Sequence, residues 1–435
     1  MSRLRGGLWR HGDFVKLWTA QTISQFGSQI SGIAIPLVAI LTLGSSAFEV
    51  ALLGAVEMLP FLLIALPAGV WVDRLPRRPI LIAGDLGRAV ALGTIPIAWA
   101  FDVLTIWQLY AVGFAVGVFT VFFDVAYQSF LPSLVSRAQL VEGNSKLEVS
   151  RSTAQIGGPG LGGLLVEAIT APYAIVADAV SFLWSGLLVL RIRAAEERPA
   201  PTQAPSMRRE IIEGIRYIVR DPRWRAISLY VSTVNFCWAV AFSILLVYAV
   251  RVLGLSAGTI GLIFALGNVG ALVGAALSGR VAARLGIGRT IVLSGAIGGL
   301  ASLLVPLAPH DNPVPFLVAS QVGTGVGIVL YNVTAISLMQ ALTPPRLLGR
   351  MNASRRWIVW GTIPLGGLTG GALAETIGLR ETLFAGTIAA SLCFLFLLAK
   401  PLRTIKELPE SDEPLPEPAD EELVEPPLEA QRADI

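Results

Sequence analysis

The charged run GVWVDRLPRRP at residues 69–79 lies between two long apolar stretches, and a shift of 210 residues lands on GRVAARLGIGRT at 279–290, again between two apolar stretches. Hydrocarbon cannot solvate a turn carrying Asp and several Arg, so both runs mark places where the chain reverses in water. Their recurrence at one spacing makes the chain a membrane-embedded duplication.

Composition agrees with that solvent. Of 435 residues, 54% are hydrophobic and only 14% charged, with a mean hydropathy of +0.68, far too apolar for a water-soluble protein of this length. Windows of about twenty apolar residues predict spans near 14–43, 47–71, 79–101, 105–131, 147–169, 172–191, 226–252, 257–279, 290–309, 314–341, 353–377 and 381–400. The first is too long for a signal-peptide core and lacks a convincing cleavage site, so it is expected to stay in place.

Basic residues resist translocation. They gather in alternate connections: the N-terminus, Arg74, Arg77 and Arg78, then Arg137, Lys146 and Arg151, the segment around 191–225, Arg280, Arg284 and Arg289, then Arg346, Arg350, Arg355 and Arg356, and Lys400, Arg403 and Lys406. Only Arg251 and Arg380 fall on the other side, with Arg88 inside a span. Both termini are therefore expected in the cytoplasm of a cell with this protein in its inner (plasma) membrane. The net charge of +3 conceals an acidic, Pro-rich tail: residues 407–435 hold eleven acids and one base, a net −10 that leaves the rest at +13. This basicity reads as topology on an anionic bilayer, not as nucleic-acid binding. Cys237 and Cys393 both fall in apolar spans, which favours neither a disulfide framework nor a zinc site.

The duplication extends beyond the charged turns. At the same shift Gln25 matches Asn235 and Met58 matches Asn268; at a shift of 208, Asn144 matches Asn352, Gly162-Gly163 matches Gly370-Gly371, and Glu167 matches Glu375. The expected fold is an all-α membrane protein of twelve transmembrane helices in two pseudo-symmetric six-helix bundles, related as parallel repeats. The expected units are a first bundle over 1–191, a linker with an amphipathic surface helix over 192–225, a second bundle over 226–403 and a disordered tail over 404–435.

Twelve spans in two sixes with this turn after the second span resemble the major facilitator superfamily over about residues 10–403. The family's pattern is met by Gly69, Asp73, Arg74, Pro76, Arg77 and Arg78. The run AQIGGPGLGG at 154–163 is similar to the antiporter motif of the superfamily's exporters, with Gly158, Pro159, Gly162 and Gly163 in place and Ala154 where a glycine is usual. FFDVAYQSFLPSLV at 122–135, with Leu140 and Asn144, resembles the branch containing enterobactin and macrolide exporters. The resemblance implies a secondary transporter that works by alternating access, exporting an amphipathic small molecule such as a siderophore, macrolide or other drug in exchange for protons. It also implies a latch in which Asp73 meets the N-terminal end of the eleventh helix when the inner side is shut. The second turn has Ala283 in place of that aspartate, and the fourth span lacks the arginine often seen in drug–proton antiporters.

Other polar residues carry two readings each. Gln21, Gln25 and Gln29 form a stripe at i, i+4, i+8 that must face protein or a wet cavity. With Asn235, Trp238, Asn268, Tyr331 and Asn332 they are candidates to line a substrate cavity, or they simply bond neighbouring helices. Glu57 lies about 15 Å deep by helical rise, where a proton-coupling role competes with a purely structural one. Asp124 is a second coupling candidate. Asp85, Arg88 and Arg151 join Asp124 in a candidate charge network near the cytoplasmic face, while Asp178 has no assigned role. The glycines of the fifth span serve close packing or sliding equally well. His11 and His310 are remote, and no nucleophile, metal-ligand or Walker-type constellation appears, so no enzyme, metal or cofactor is expected. An uptake symporter and a non-transporting sensor are the alternatives. The expected partners are a small-molecule substrate, protons and lipid, and the expected state is a monomer.

Overall fold

The computed structural model describes residues 7–72, 74–193, 216, 219–343 and 345–405, with side chains for these except 66, 70, 137, 345–350, 352–360 and 401. Asp73, most of the predicted surface helix and the acidic tail lie outside the described residues, as does the side chain of Asn352.

Twelve long helices follow one another: α1 (Gly12–Leu37), α2 (Ala47–Leu63), α3 (Arg77–Ala100), α4 (Ile106–Leu134), α5 (Leu140–Ile169), α6 (Ala171–Leu190), α7 (Pro222–Arg251), α8 (Ala257–Leu285), α9 (Ile287–Ser302), α10 (Val314–Leu342), α11 (Pro345–Ile377) and α12 (Leu379–Leu392). No strand occurs among the described residues. Helices dominate because a chain in lipid must satisfy its backbone within each segment. Nine described segments, all but α2, α5 and α11, are long and apolar enough to cross a membrane by themselves. α2 is interrupted at Ile64, one turn after Pro60, and resumes over Ala65–Val72. α5 and α11 begin with charged turns that run out of the apolar layer: Glu142, Lys146, Glu148 and Arg151 in one, Arg346 and Arg350 in the other.

Polar residues start the helices where the sequence breaks. Ser46 and Glu49 form a reciprocal capping box on α2, and Ser256 Oγ accepts the Thr259 N–H on α8. Asp221 caps α7. Burial raises its carboxyl, but bonds from the Arg223 side chain and backbone outweigh that and hold it below the usual carboxylate range.

The repeat is written in the backbone. The end of α1 widens so that Leu43 N–H reaches the Val38 carbonyl (3.1 Å) and Ser45 N–H the Ala39 carbonyl (2.9 Å). At the end of α7, Leu253 bonds Tyr248 (3.1 Å) and Leu255 bonds Ala249 (3.0 Å), each 210 residues later. Gly44 and Gly254 both turn at φ +64°, a conformation that a side chain disfavours.

Packing repeats too. α1 packs on α5 and α6, α3 on α4 and α6, and α2 on α4; correspondingly α7 packs on α11 and α12, α9 on α10 and α12, and α8 on α10. The halves join chiefly through α5–α8 and α2–α11, with a smaller contact between α2 and α7. One apolar cluster spans both halves and contains Ile33, Leu37, Ile175, Ile244, Tyr248 and Leu383. At the opposite end, which carries the basic turns, the core divides: Phe14, Leu81 and Phe130 belong to a first-half cluster, and Trp224, Ile291 and Leu397 to a second-half one. Among the described residues, then, the two halves share one apolar core at the far end and keep separate cores at the basic end. Its outside is apolar, with Val90 70% and Leu365 61% exposed. Trp99, Trp107 and Tyr173 ring the far end of the first half, where amphipathic rings suit a lipid–water boundary.

Candidate functional site

A cavity of about 210 Å³ opens within the second half, among α7, α9, α10 and α12. Glycines bring its walls together: a Cβ on Gly327 of α10 would lie 2.7 Å from Gly298 N on α9, and one on Gly299 2.7 Å from Ser391 Cα on α12. Asn235, Trp238, Tyr331 and Asn332 line it together, beside Tyr230. The Tyr230 and Tyr331 rings lie 5.1 Å apart, and Trp238 stacks on Phe242 at 4.2 Å. Ser294 and Ser302 turn their hydroxyls back to the carbonyls of Ile291 and Gly299. What remains is a wall of aromatic faces with a few amide and phenol groups. That surface offers broad apolar faces beside a small number of hydrogen-bonding groups.

The charges inside the first half form a separate group. Arg88 on α3 is sandwiched between the Phe123 and Phe182 rings, 4.3 and 4.1 Å from their centroids. Its Nη2 meets Asp85 Oδ1 at 2.6 Å, and Ser185 Oγ donates to Asp85 Oδ2 at 2.7 Å. Asp124 on α4 and Asp178 on α6 face the same guanidinium electrostatically. Asp178 is buried, accepts from Ser181 at 3.1 Å and sits over Gly27 of α1, where a Cβ would collide with it. Arg151 stands apart, exposed and 3.8 Å from Glu148.

The remaining predicted residues scatter. Glu57 is half-buried, lies against Gly113 of α4, and makes no hydrogen bond or ion pair among the described residues. Gln29 covers Gly158 in the α1–α5 contact, Gln25 is half-buried, and buried Gln21 leaves its Nε2 without a hydrogen bond among the described residues. None of the three lines the second-half cavity. Asn268 donates instead to the Gln155 carbonyl, bridging α8 to α5. In the basic turn Arg74 is exposed, Gly69 has open space beside it, and Arg78 bonds the carbonyls of Val189 and Leu190 at the end of α6, where the helix dipole favours a cation. Arg77 is half-buried. Asp73 lies outside the described residues, so the expected latch stays an expectation. Pro159, Gly162 and Gly163 are buried where α5 meets α1 and α8.

Sequence reasoning missed Tyr230, Ser185 and the Phe123–Phe182 sandwich. Only a polar Ser and an Asp within apolar α6 gave any signal for that region.

A sequence model described as Major Facilitator Superfamily matches residues 17–363. The chain is 25% identical to the multidrug efflux pump Tap of Mycolicibacterium fortuitum, covering 93% of this chain and 99% of that protein. It is 22% identical to macrolide efflux protein A of Streptococcus pyogenes, covering 90% and 97%. Among solved structures, a bacterial homologue of the iron transporter ferroportin in its inward-facing state matches with a TM-score of 0.69 at 17% identity, over 92% of this chain and 100% of that one. Such a homologue in its outward-facing state gives a TM-score of 0.55 at 18% identity, over 88% and 98%.

Proposed function

The chain belongs to the major facilitator superfamily, and from that premise we propose that it exports an amphipathic small molecule by exchanging it for protons. The observation that carries this reading is the aromatic and amide-lined cavity in a molecule whose described core is shared by the halves at the far end and divided between them at the basic end. The efflux names of the relatives support the direction. The basic end is assigned to the cytoplasm of the plasma membrane by the positive-inside rule. On that assignment the divided end of the described core faces the cytoplasm, and we read this state as the one that loads.

In the proposed cycle the solute enters from the basic end and lays its apolar part on Tyr230, Trp238 and Tyr331, with Asn235 and Asn332 offered to its polar groups. The halves then rock, the basic end closes and the far end opens. A proton returning inward across 100 mV releases about 2.3 kcal/mol, enough for roughly fifty-fold accumulation outside. Glu57 is proposed to carry it. A carboxyl with no ion-pair partner among the described residues, resting on a glycine of the neighbouring helix, can gain and lose a proton without first breaking such a pair.

Everted membrane vesicles energised by respiration test the direction. An exporter accumulates an added macrolide or siderophore probe inside them and dissipates part of the proton gradient; a symporter expels the probe. Glu57→Gln, which keeps shape but cannot ionise, is expected to flatten the pH dependence of probe accumulation and to lower it at least about tenfold. Accumulation that follows the same pH profile as the unmodified protein removes Glu57 from coupling.

A further inference from the structure

The closed far end contains one device built twice. On α5, Gly163 and Glu167 stand four residues apart and so share a face; on α11, Gly371 and Glu375 do the same. At Gly163 a Cβ would lie 2.9 Å from the Cα of Gly261 on α8, so the bare backbone is what permits contact. Glu167 then reaches the start of α8, where its Oε2 accepts from the Gly258 N–H (2.7 Å) and from Ser256 Oγ (3.0 Å). A side chain on Gly258 would strike that carboxylate. Across the pseudo-dyad, a Cβ on Gly371 would lie 2.9 Å from Phe48 Cα and 2.7 Å from Ala51 Cβ of α2. Glu375 Oε1 there accepts the Phe48 N–H at 3.2 Å. Phe48 and Ala51 precede Gly258 and Gly261 by 210 residues.

A carboxylate on the unpaired N–H groups of a helix start is stabilised by charge-assisted hydrogen bonds and by the helix dipole. Both carboxylates act from one half upon the other half, so neither bond survives when the far end opens. We propose that Glu167 and Glu375 are the hooks of the outer gate, each clasping the first turn of the opposite half's helix and holding the far end shut. The hooks are unequal. Glu167 has two donors, whereas Glu375 has one and shares the α2 start with Glu49, whose carboxylate already accepts the Ser46 N–H at 2.7 Å.

The inference rests on the alternating-access reading above, and its test reads accessibility, not transport. Ala265, whose Cβ would lie 3.4 Å from a Cβ on Gly160, sits two turns inside the Glu167 clasp. With Cys237 and Cys393 changed to Ala and Ala265→Cys introduced, intact cells are treated with a membrane-impermeant maleimide. Labelling after denaturation normalises for protein in the membrane. Glu167→Ala is expected to raise the labelling rate roughly tenfold, Glu375→Ala less, and the double variant most. Glu167→Gln, which keeps an acceptor, should fall between. Glu381→Ala, at the start of α12 within one half, should leave the rate unchanged. A double variant that labels at the parent rate overturns the proposal, whatever vesicles show. A double variant that labels faster, while vesicles carrying the unmodified protein fail to accumulate the probe, sustains the gate and sinks the exporter reading alone.

Discussion

Arg88→Leu is expected to lower stability by about 3–5 kcal/mol, the usual cost of removing one partner from a buried ion pair. Arg88 is 5% exposed. Besides Asp85 at 2.6 Å, its Nε donates to the Gly84 carbonyl at 3.2 Å, and its plane fills the gap between Phe123 and Phe182. Without it, Asp85 keeps only the Ser185 hydroxyl, and Asp124 and Asp178 lose the cation they face. The measurement is thermal unfolding in detergent, together with yield in the membrane. Arg88→Lys should fall between, because an ammonium keeps the charge but cannot stack as a plane or reach with a fork. The Arg88→Leu, Asp85→Leu double variant should be more stable than Arg88→Leu alone, since it replaces a broken pair by packed apolar groups. A single variant that unfolds at the parent temperature would mean that the cluster contributes nothing to the fold.

That cluster shows what the sequence could and could not disclose. The helices, the water-facing turns and the repeat were legible because hydrocarbon imposes local rules: apolar length for a span, charge for a turn, periodicity for a face. Boundaries slipped where a helix leaves the apolar layer. α5 starts at Leu140 and not near 147, and α11 at Pro345 and not near 353, because their first turns are polar and continue the helix in water. Interior partners were far less legible. Asp85 and Ser185 are 100 residues apart, and nothing local says that α3 and α6 touch. Arg151 sits at a similar distance along its helix yet points to Glu148, because sequence depth does not fix the direction of a side chain. Asn235, Trp238, Tyr331 and Asn332 could be gathered from the sequence since each is a polar or aromatic residue in a second-half span. Gln29 looked the same and lies under Gly158 instead. Glu167 and Glu375 were visible as a repeat, but only the structure places them across the junction.

The two adjacent glycines of α5 should give opposite phenotypes when each is changed to Val. Gly162 faces α1 within its own half, where a Cβ would lie 3.0 Å from Ile30 Cα. Gly163 faces α8 in the other half. The same division recurs on α11: Gly370 meets the Val240 carbonyl of α7 in its own half, whereas Gly371 meets α2 across the junction. Backbone neighbours cannot rotate away, so an added side chain must push the helices apart, a strain of typically 1–3 kcal/mol for overpacking. In Gly162→Val that strain falls on the bundle itself, and the expected result is a lower unfolding temperature. In Gly163→Val each bundle keeps its packing, and the strain falls on the closed state of the far end. Its population relative to the open state should drop about 5- to 150-fold, with the unfolding temperature close to that of the parent and probe accumulation in everted vesicles sharply reduced. Gly370→Val and Gly371→Val should repeat the contrast. Equal losses of stability in Gly162→Val and Gly163→Val would show that the halves do not part at α5–α8. The helix 5 glycines would then serve rigid packing, and alternating access through this junction would fail with them.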